Sequence, residues 1–322
     1  MTVRLLRAAD LALVCPMADA IGAVARGFAA LSAGQATVPV RLSVPLRHEG
    51  AALTMPAALA GSSSYSVKVV SVAPGNVLVG RPVVIGTVLL GDAVTGELLA
   101  LIDGTALTAL RTGAAGGLAA RELSRQAATR VALFGAGAQA RSQLLALATV
   151  RAISEVRVVT RDPAHAAALR SWCAQEHTLG SVAIHPTSPH DAVAGADIVV
   201  TATTSPTPVF QGTWLGPGAH VTAVGSYTPE MRELDDDTLR GARLVVDQRA
   251  AALAEAGELR GRRADELIEL GEIVSGRAAG RSDDRERTVF KSVGNAIQDL
   301  VVAARAYERA QQLGVGEEIQ FP

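Results

Sequence analysis

Two residue patterns in this chain could do chemistry: a glycine-marked turn after an apolar strand, and a small set of cations in the first third. The run Val131-Ala132-Leu133-Phe134-Gly135-Ala136-Gly137-Ala138-Gln139-Ala140-Arg141 reads as a short strand breaking into Gly-x-Gly-x-x-Ala and then a helix beginning near Gln139. Gly135 would permit the tight turn, Gly137 would let backbone approach a phosphate, and Ala140 would let the helix pack closely on the strand. The helix start then offers unpaired N–H groups and the positive end of its dipole to an anion. A nicotinamide or flavin dinucleotide is the first expectation, although small residues also serve ordinary strand-to-helix turns.

The cations carry a compositional signal. Of 30 basic residues only Lys68 and Lys291 are lysine, so arginine serves wherever plain positive charge suffices. An ammonium differs in having a pKa that burial and neighbours can move, which lets it exchange a proton. The alternative is that two lysines survive by chance. In Tyr65-Ser66-Val67-Lys68-Val69-Val70 the alternation puts Ser66, Lys68 and Val70 on one strand face and Val67 and Val69 on the other, with the lysine partly buried. Arg41, within Val38–Val44, is expected on another strand, and Arg111 at the mouth of a Gly/Ala-rich helix. Arg41 and Arg111 could clamp one substrate carboxylate while Lys68 acts as acid or base; structural salt bridges are the competing use.

Elements that would position these groups follow in order. Strands are expected at Glu155–Thr160, Asp197–Thr203, Ala219–Gly225 and Ala242–Asp247, several of them continuous apolar runs of the kind parallel sheets bury on both faces. With the glycine turn they make a Rossmann-type dinucleotide-binding domain. At the end of the second strand, where a carboxylate would read the ribose of NAD, stand Thr160 and Arg161, a pair suited to the 2′-phosphate of NADP. Asp162 follows, so NADH stays open, and Arg161 could equally be a solvated loop charge. Phe290, Val293, Ile297, Leu300, Val301, Ala304 and Tyr307 form an apolar stripe at helical spacing, and the polar segment 276–287 before them reads as a loop between domains.

Composition bounds the rest. The chain has 322 residues, 49% hydrophobic and 19% charged, with net charge −1 and 3% aromatic residues, which supports one or two sizeable cores and gives no bias toward nucleic acid or anionic membrane. Two cysteines, Cys15 and Cys173, build neither a disulfide framework nor a zinc cluster, and no secretory leader or 18-residue apolar span is read, so a cytoplasmic enzyme is expected. His48, His165, His177, His185, His190 and His220 have no ligand-like spacing, and no metal is expected.

Six ordered blocks resemble the ornithine cyclodeaminase/μ-crystallin family: Met55-Pro56-Ala57, Lys68-Val69-Val70, Asp103 to Thr112, Gly135 to Ala140, Arg232 to Asp236, and Thr288 to Gly294. The resemblance implies an α/β subunit, with a Rossmann domain over 113–292 and a mixed α/β substrate and dimerisation domain over 1–112 completed by a C-terminal helix within 293–322. That helix would return to the first domain; otherwise it is the last Rossmann helix. The resemblance places Arg41 and Arg111 on the substrate carboxylate and Lys68 as the active-site lysine. Met55, Thr112, Glu255 and Ser292 fall on the substrate side. Cofactor contacts fall on Ala136, Ala138, Gln139, Thr160, Arg161, Thr203, Val224 and Ser226, beside Gly135, Gly137 and Ala140. Lys291 is expected in a packing or surface role.

One departure sharpens the reading. Cyclodeaminases and related alanine dehydrogenases of this family carry an aspartate where Val224-Gly225-Ser226-Tyr227-Thr228-Pro229 places Tyr227. A phenol with an ordinary pKa of about 10 replaces a carboxylate poorly in managing protons at neutral pH. The segment is instead similar to the branch that reduces cyclic ketimino acids with NADPH, or with NADH, as a homodimer. Ornithine cyclodeamination, alanine dehydrogenation and a non-enzymatic μ-crystallin-like ligand-binding protein are the alternatives.

Overall fold

A computed structural model of the protein describes residues 2–320. The chain divides into two units, residues 1–111 with 295–322 and residues 112–294.

In the first unit, strands β1 (Thr2–Leu6), β2 (Ala36–Thr37), β3 (Leu42–Pro45), β4 (Ala51–Leu59), β5 (Ser64–Val72), β6 (Val84–Asp92) and β7 (Leu98–Asp103) join a last strand, Glu317–Gln320, in one mixed sheet. Its order is Glu317–Gln320, β1, β7, β6, β5, β4, β2, with β3 also on β4. β1 and β7 run parallel, and the other pairs are antiparallel. Alternation along β4 and β5 buries Leu53, Met55 and Ala57 with Ser66, Lys68 and Val70, whereas Val69 stays 44% exposed. Helices α1 (Ala8–Val14) and α2 (Met17–Ser32) lie in the same unit.

The C-terminal helix, Ala296–Leu313, packs on β4, β5 and α2. Gly27 makes the α2 crossing close: a Cβ there would meet Val301 at 3.0 Å. Asn295 starts the helix with a capping box, accepting from Ile297 N and matched by Gln298, and Gly314 ends it in the left-handed region at φ 65°. The expected stripe is therefore displaced. Phe290 lies on a strand and Val293 before the cap, while Ile297, Leu300, Val302, Ala303, Ala306 and Ala310 form the buried face; Val301, Ala304 and Tyr307 are half-buried.

In the second unit, β8 (Arg130–Phe134), β9 (Glu155–Val159), β10 (Ala183–Pro186), β11 (Ile198–Thr201), β12 (His220–Ala223), β13 (Arg243–Val246), β14 (Ile268–Glu269) and β15 (Thr288–Lys291) form a sheet ordered β10-β9-β8-β11-β12-β15-β13-β14. Every pair is parallel. Alternate residues feed two cores: Ala132, Phe134, Val199 and Val221 enter one, and Val131, Leu133, Val156 and Val200 the other. Burial on both faces explains the unbroken apolar runs. Helix α3 (Gly104–Leu123) precedes β8, α4 (Ala138–Val150) connects β8 to β9, and α5 (Pro163–Cys173) connects β9 to β10. Strand order reverses between β8 and β11, which opens a crevice at their carboxyl ends. This is a Rossmann-type α/β arrangement. Residues 276–287, read from sequence as an interdomain loop, instead lie inside this unit and lead into β15.

Candidate active site

In the first unit Lys68 and Arg111 meet on one carboxylate. Lys68, 1% exposed on β5, places Nζ 2.7 Å from Asp299 Oδ2, and Arg111 donates Nε to Asp299 Oδ1 at 3.1 Å. Asp299 is fully buried on the C-terminal helix. Arg111 also donates from Nη1 to Gln298 Oε1 at 2.8 Å, and the same oxygen accepts from Asn295 N at 3.0 Å. That arrangement fixes the Gln298 amide, whose buried Nε2 has no partner among the described residues. Thr108 Oγ1 stands 3.5 Å from Lys68 Nζ as an acceptor.

Burial pulls the Lys68 ammonium down to about 8 from 10.5; the Asp299 carboxylate opposes that fall, while the Arg111 and Arg41 charges add to it. Lys68 is thus a lysine that can both hold and release a proton near neutral pH. Met55, 4% exposed, is its cross-strand neighbour on β4. Arg41 is half-buried one residue before β3, and so lies beside a strand where the sequence placed it on one. Arg111 lies in the second turn of α3, past the helix mouth expected for it. Met55, Lys68, Arg111 and Arg41 are therefore grouped, whereas Thr112, Glu255 and Ser292 belong to the second unit.

At the crevice of the second unit, Gly135 adopts φ 102°, and a Cβ there would sit 2.5 Å from Ala202 O. Only glycine meets both demands. The α4 helix begins at Ala138 with Gly137 as N-cap, and no side chain caps it. Its first N–H groups are consequently offered outward, and a Cβ on Gly137 would meet nothing within 4 Å. Ala136 and Gln139 are half-buried, Ala140 is fully buried against the strand, and Gln139 Oε1 is a buried acceptor with no partner among the described residues. A dinucleotide pyrophosphate fits this cradle.

At the end of β9, Thr160 donates Oγ1 to Asp162 O at 2.8 Å, and Asp162 Oδ1 caps α5 by accepting from Ala164 N at 2.8 Å. Arg161 is exposed and forms no ion pair among the described residues.

A second buried ionic group shapes the loop after β12. Glu233 Oε1 accepts from Thr203 N at 2.7 Å and Thr203 Oγ1 at 2.8 Å; Oε2 accepts from Thr201 Oγ1 at 2.9 Å and Gly225 N at 2.7 Å. Glu258 accepts from Glu233 N and from the Ser226 hydroxyl, and Lys291 Nζ donates to Ser226 O at 2.6 Å. The Thr203 and Ser226 hydroxyls thus serve the loop itself. Lys291, 1% exposed and 3.6 Å from Glu258, is a buried counter-charge, which corrects the surface alternative. Val224 donates its N–H to Thr201 O, and Tyr227 is half-buried. Ser292 donates Oγ to Asp247 at 2.9 Å, an oxygen that also accepts from Val293 N and Gly294 N. Glu255 is half-buried at the end of the helix Arg249–Glu255.

Sequence reading missed Asp299, Gln298 and Glu258, and held Thr108 only within the block Asp103 to Thr112. A carboxylate in the middle of an apolar helical stripe was the available signal for Asp299, because a buried charge needs a partner. Glu233 was visible only as part of a matching block.

Comparisons with known proteins bear on this geometry. The model of the ornithine cyclodeaminase/mu-crystallin family matches residues 3–314. A Delta(1)-pyrroline-2-carboxylate reductase of Bacillus thuringiensis subsp. konkukian is 39% identical over 314 residues, covering 95% of this chain and 96% of that protein. Among solved structures, Thermococcus litoralis Delta(1)-pyrroline-2-carboxylate reductase in complex with NADH and L-proline is 39% identical at a TM-score of 0.93, covering 98% of this chain and 100% of the other. An archaeal alanine dehydrogenase dimer with bound NAD is 32% identical at a TM-score of 0.91, with full coverage of both (100% each).

Proposed function

We infer the reaction from one premise: the chain belongs to the ornithine cyclodeaminase/mu-crystallin family. It is a nicotinamide-dependent oxidoreductase that reduces the C=N bond of cyclic ketimino acids. Δ1-Pyrroline-2-carboxylate becomes L-proline, and Δ1-piperideine-2-carboxylate becomes L-pipecolate. The observation that carries this reading is the buried ammonium of Lys68, held with the Arg111 guanidinium on the two oxygens of one carboxylate.

A reduced nicotinamide, when bound, would supply the hydride for the imine carbon. The C=N π pair becomes the nitrogen lone pair, and the nitrogen takes a proton. Arg111, with Arg41, grips the substrate carboxylate and turns an encounter into a reactive pose. Lys68 sits beside the imine nitrogen and provides the proton, for which a pKa of about 8 suits it. Met55 supplies an apolar wall next to Lys68. Thr112, Glu255 and Ser292 are assigned to the substrate side by family correspondence. On the dinucleotide, Gly135, Ala136, Gly137, Ala138, Gln139 and Ala140 seat the pyrophosphate, while Thr203, Val224 and Ser226 form the backbone wall beyond it.

NADPH is the preferred donor in this reading. Asp162 is engaged in capping α5, and Arg161 beside Thr160 offers a guanidinium for a 2′-phosphate. Arg161→Ala is expected to raise the Michaelis constant for NADPH about tenfold and to leave that for NADH nearly unchanged, as loss of one charge-assisted contact of about 1.4 kcal/mol would do. Equal effects on both donors would exclude the 2′-phosphate role.

The working form is a homodimer. Leu42, Val44, Val69 and Ile85, between 44% and 66% exposed, share the sheet face opposite Lys68 and suit burial by a second copy. Two unpaired, buried cysteines agree with a cytoplasmic setting.

Loss of NADPH absorbance with either cyclic ketimine tests the reaction. Ornithine, assayed for ammonia, and alanine, assayed for NADH formation, serve as controls. Activity on a control with none on the imines would replace this reading, and inertness toward all four with retained ligand binding would make the protein a binder.

A further inference from the structure

Asp299 lies on a different element from both cations it joins, and neither its oxygens nor its neighbours resemble a surface ion pair. Oδ2 faces Lys68 Nζ on β5 and Oδ1 faces Arg111 Nε on α3, with side-chain exposures of 0%, 2% and 7%. An ammonium has three N–H bonds and a guanidinium five. Asp299 and Thr108 face two of the directions around Lys68 Nζ. Asp299 and Gln298 take Arg111 Nε and one N–H of Nη1, leaving the Nη2 edge without a partner among the described residues.

We propose that Asp299 is a positioning residue, holding Lys68 and Arg111 on its two oxygens so that one ammonium N–H and the outer guanidinium edge remain as paired donors to an α-imino carboxylate. Such a substrate carries its nitrogen and carboxylate on one carbon, so two donors tied to a single rigid carboxylate meet both groups together. The inference rests on the ketimine reading for the identity of the ligand, but not for the geometry of the triad. Asp299 also sets the charge of Lys68. The charged groups facing this ammonium are Asp299 from the C-terminal helix, Arg111 from α3 and Arg41 from the segment before β3. Asp299 is the one anion among them, so its loss leaves two cations and burial, all of which favour deprotonation.

With only two lysines in the chain, uniform lysine labelling at 13Cε gives two side-chain resonances, and Lys68→Met assigns them. The full chain would be titrated by NMR as wild type, Asp299→Asn and Asp299→Glu. In Asp299→Asn the Lys68 midpoint is expected to fall by about one pH unit or more. The Michaelis constant for the cyclic ketimine should rise at least about tenfold, and the alkaline limb of kcat/KM should move acidward with the midpoint. Asp299→Glu, which keeps the charge, should restore the midpoint and part of the Michaelis constant. A Lys68 midpoint unmoved in a folded Asp299→Asn protein overturns the proposal. So does a moved midpoint with an unchanged Michaelis constant. Should Asp299→Asn not fold, a normal midpoint with a Michaelis constant raised part of the way in Asp299→Glu would support the proposal, and a midpoint shifted as far as burial alone dictates, or a Michaelis constant left at the wild-type value, would overturn it. If wild type reduces neither imine, the ketimine reading fails while the titration still decides whether Asp299 governs Lys68.

Discussion

Arg111→Ala is expected to lower kcat/KM for Δ1-pyrroline-2-carboxylate by about a thousandfold, or about 4 kcal/mol of transition-state stabilisation, while the dissociation constant for NADPH stays within about twofold. A charge-assisted clamp on the substrate carboxylate contributes orientation as well as attraction, so its removal should affect kcat together with KM. A second readout separates the clamp from simple packing. Arg111 is a like charge that helps push the Lys68 proton off, so its removal should carry the alkaline limb of the rate profile toward higher pH. Arg111→Lys keeps the charge and loses the fork, and should recover little of the activity. The truncation also leaves Asp299 with one cation and Gln298 Oε1 with one donor. A folding check by thermal unfolding therefore accompanies the kinetics. Parallel loss of NADPH affinity would move Arg111 from the substrate to the dinucleotide and contradict the assignment.

Lys68→Met is expected to remove about 10² to 10⁴ of kcat, the range a positioned proton donor contributes. Methionine preserves the apolar stem in a site that burial has made hostile to charge, so the fold should tolerate it better than alanine. The sign of the pH effect follows from the direction of the shift. Lys68 gives up its proton near pH 8 instead of 10.5, and a donor must be protonated to act. Wild-type kcat/KM should thus be flat below that value and decline above it, and the decline should vanish in Lys68→Met, leaving a low and nearly pH-independent rate. A variant retaining the limb would show that another group, or the imine itself, titrates there.

Features that depend on consecutive residues were legible in the chain. The Gly135-to-Ala140 turn, the strand containing Lys68 and the buried runs of β11 and β12 each announce themselves within about ten residues, because glycine conformation and side-chain alternation are local properties. Lys68 stood out through rarity against a background of arginine. What could not be read depends on distant partners. Asp299 meets Arg111 across 188 residues of sequence, and the run Ala296-Ile297-Gln298-Asp299-Leu300 gives no hint of which cation it faces. Phe290 falls at helical spacing with the residues that follow because the strand Thr288-Val289-Phe290-Lys291 is too short for its own period to declare itself. Its place is decided by β12 and β13 on either side and by the Asn295 cap, which starts the helix only after Gly294. The Thr203 and Ser226 hydroxyls pointed by correspondence toward a ligand, yet Glu233 and Glu258 engage them, a competition visible only once the loop is folded.

Both lysines are sealed, at 1% exposure each, and every remaining basic side chain apart from histidine is arginine. The native surface among the described residues therefore presents no ε-amine to an acylating reagent, and trypsin meets only arginine there. Lys291 becomes acylated only once its surroundings have opened, whereas Lys68 can also be reached by way of the substrate site. The rate of modification at Lys291 would therefore read local unfolding of the second unit without an introduced probe, while the rate at Lys68 would read access to the substrate site in the first.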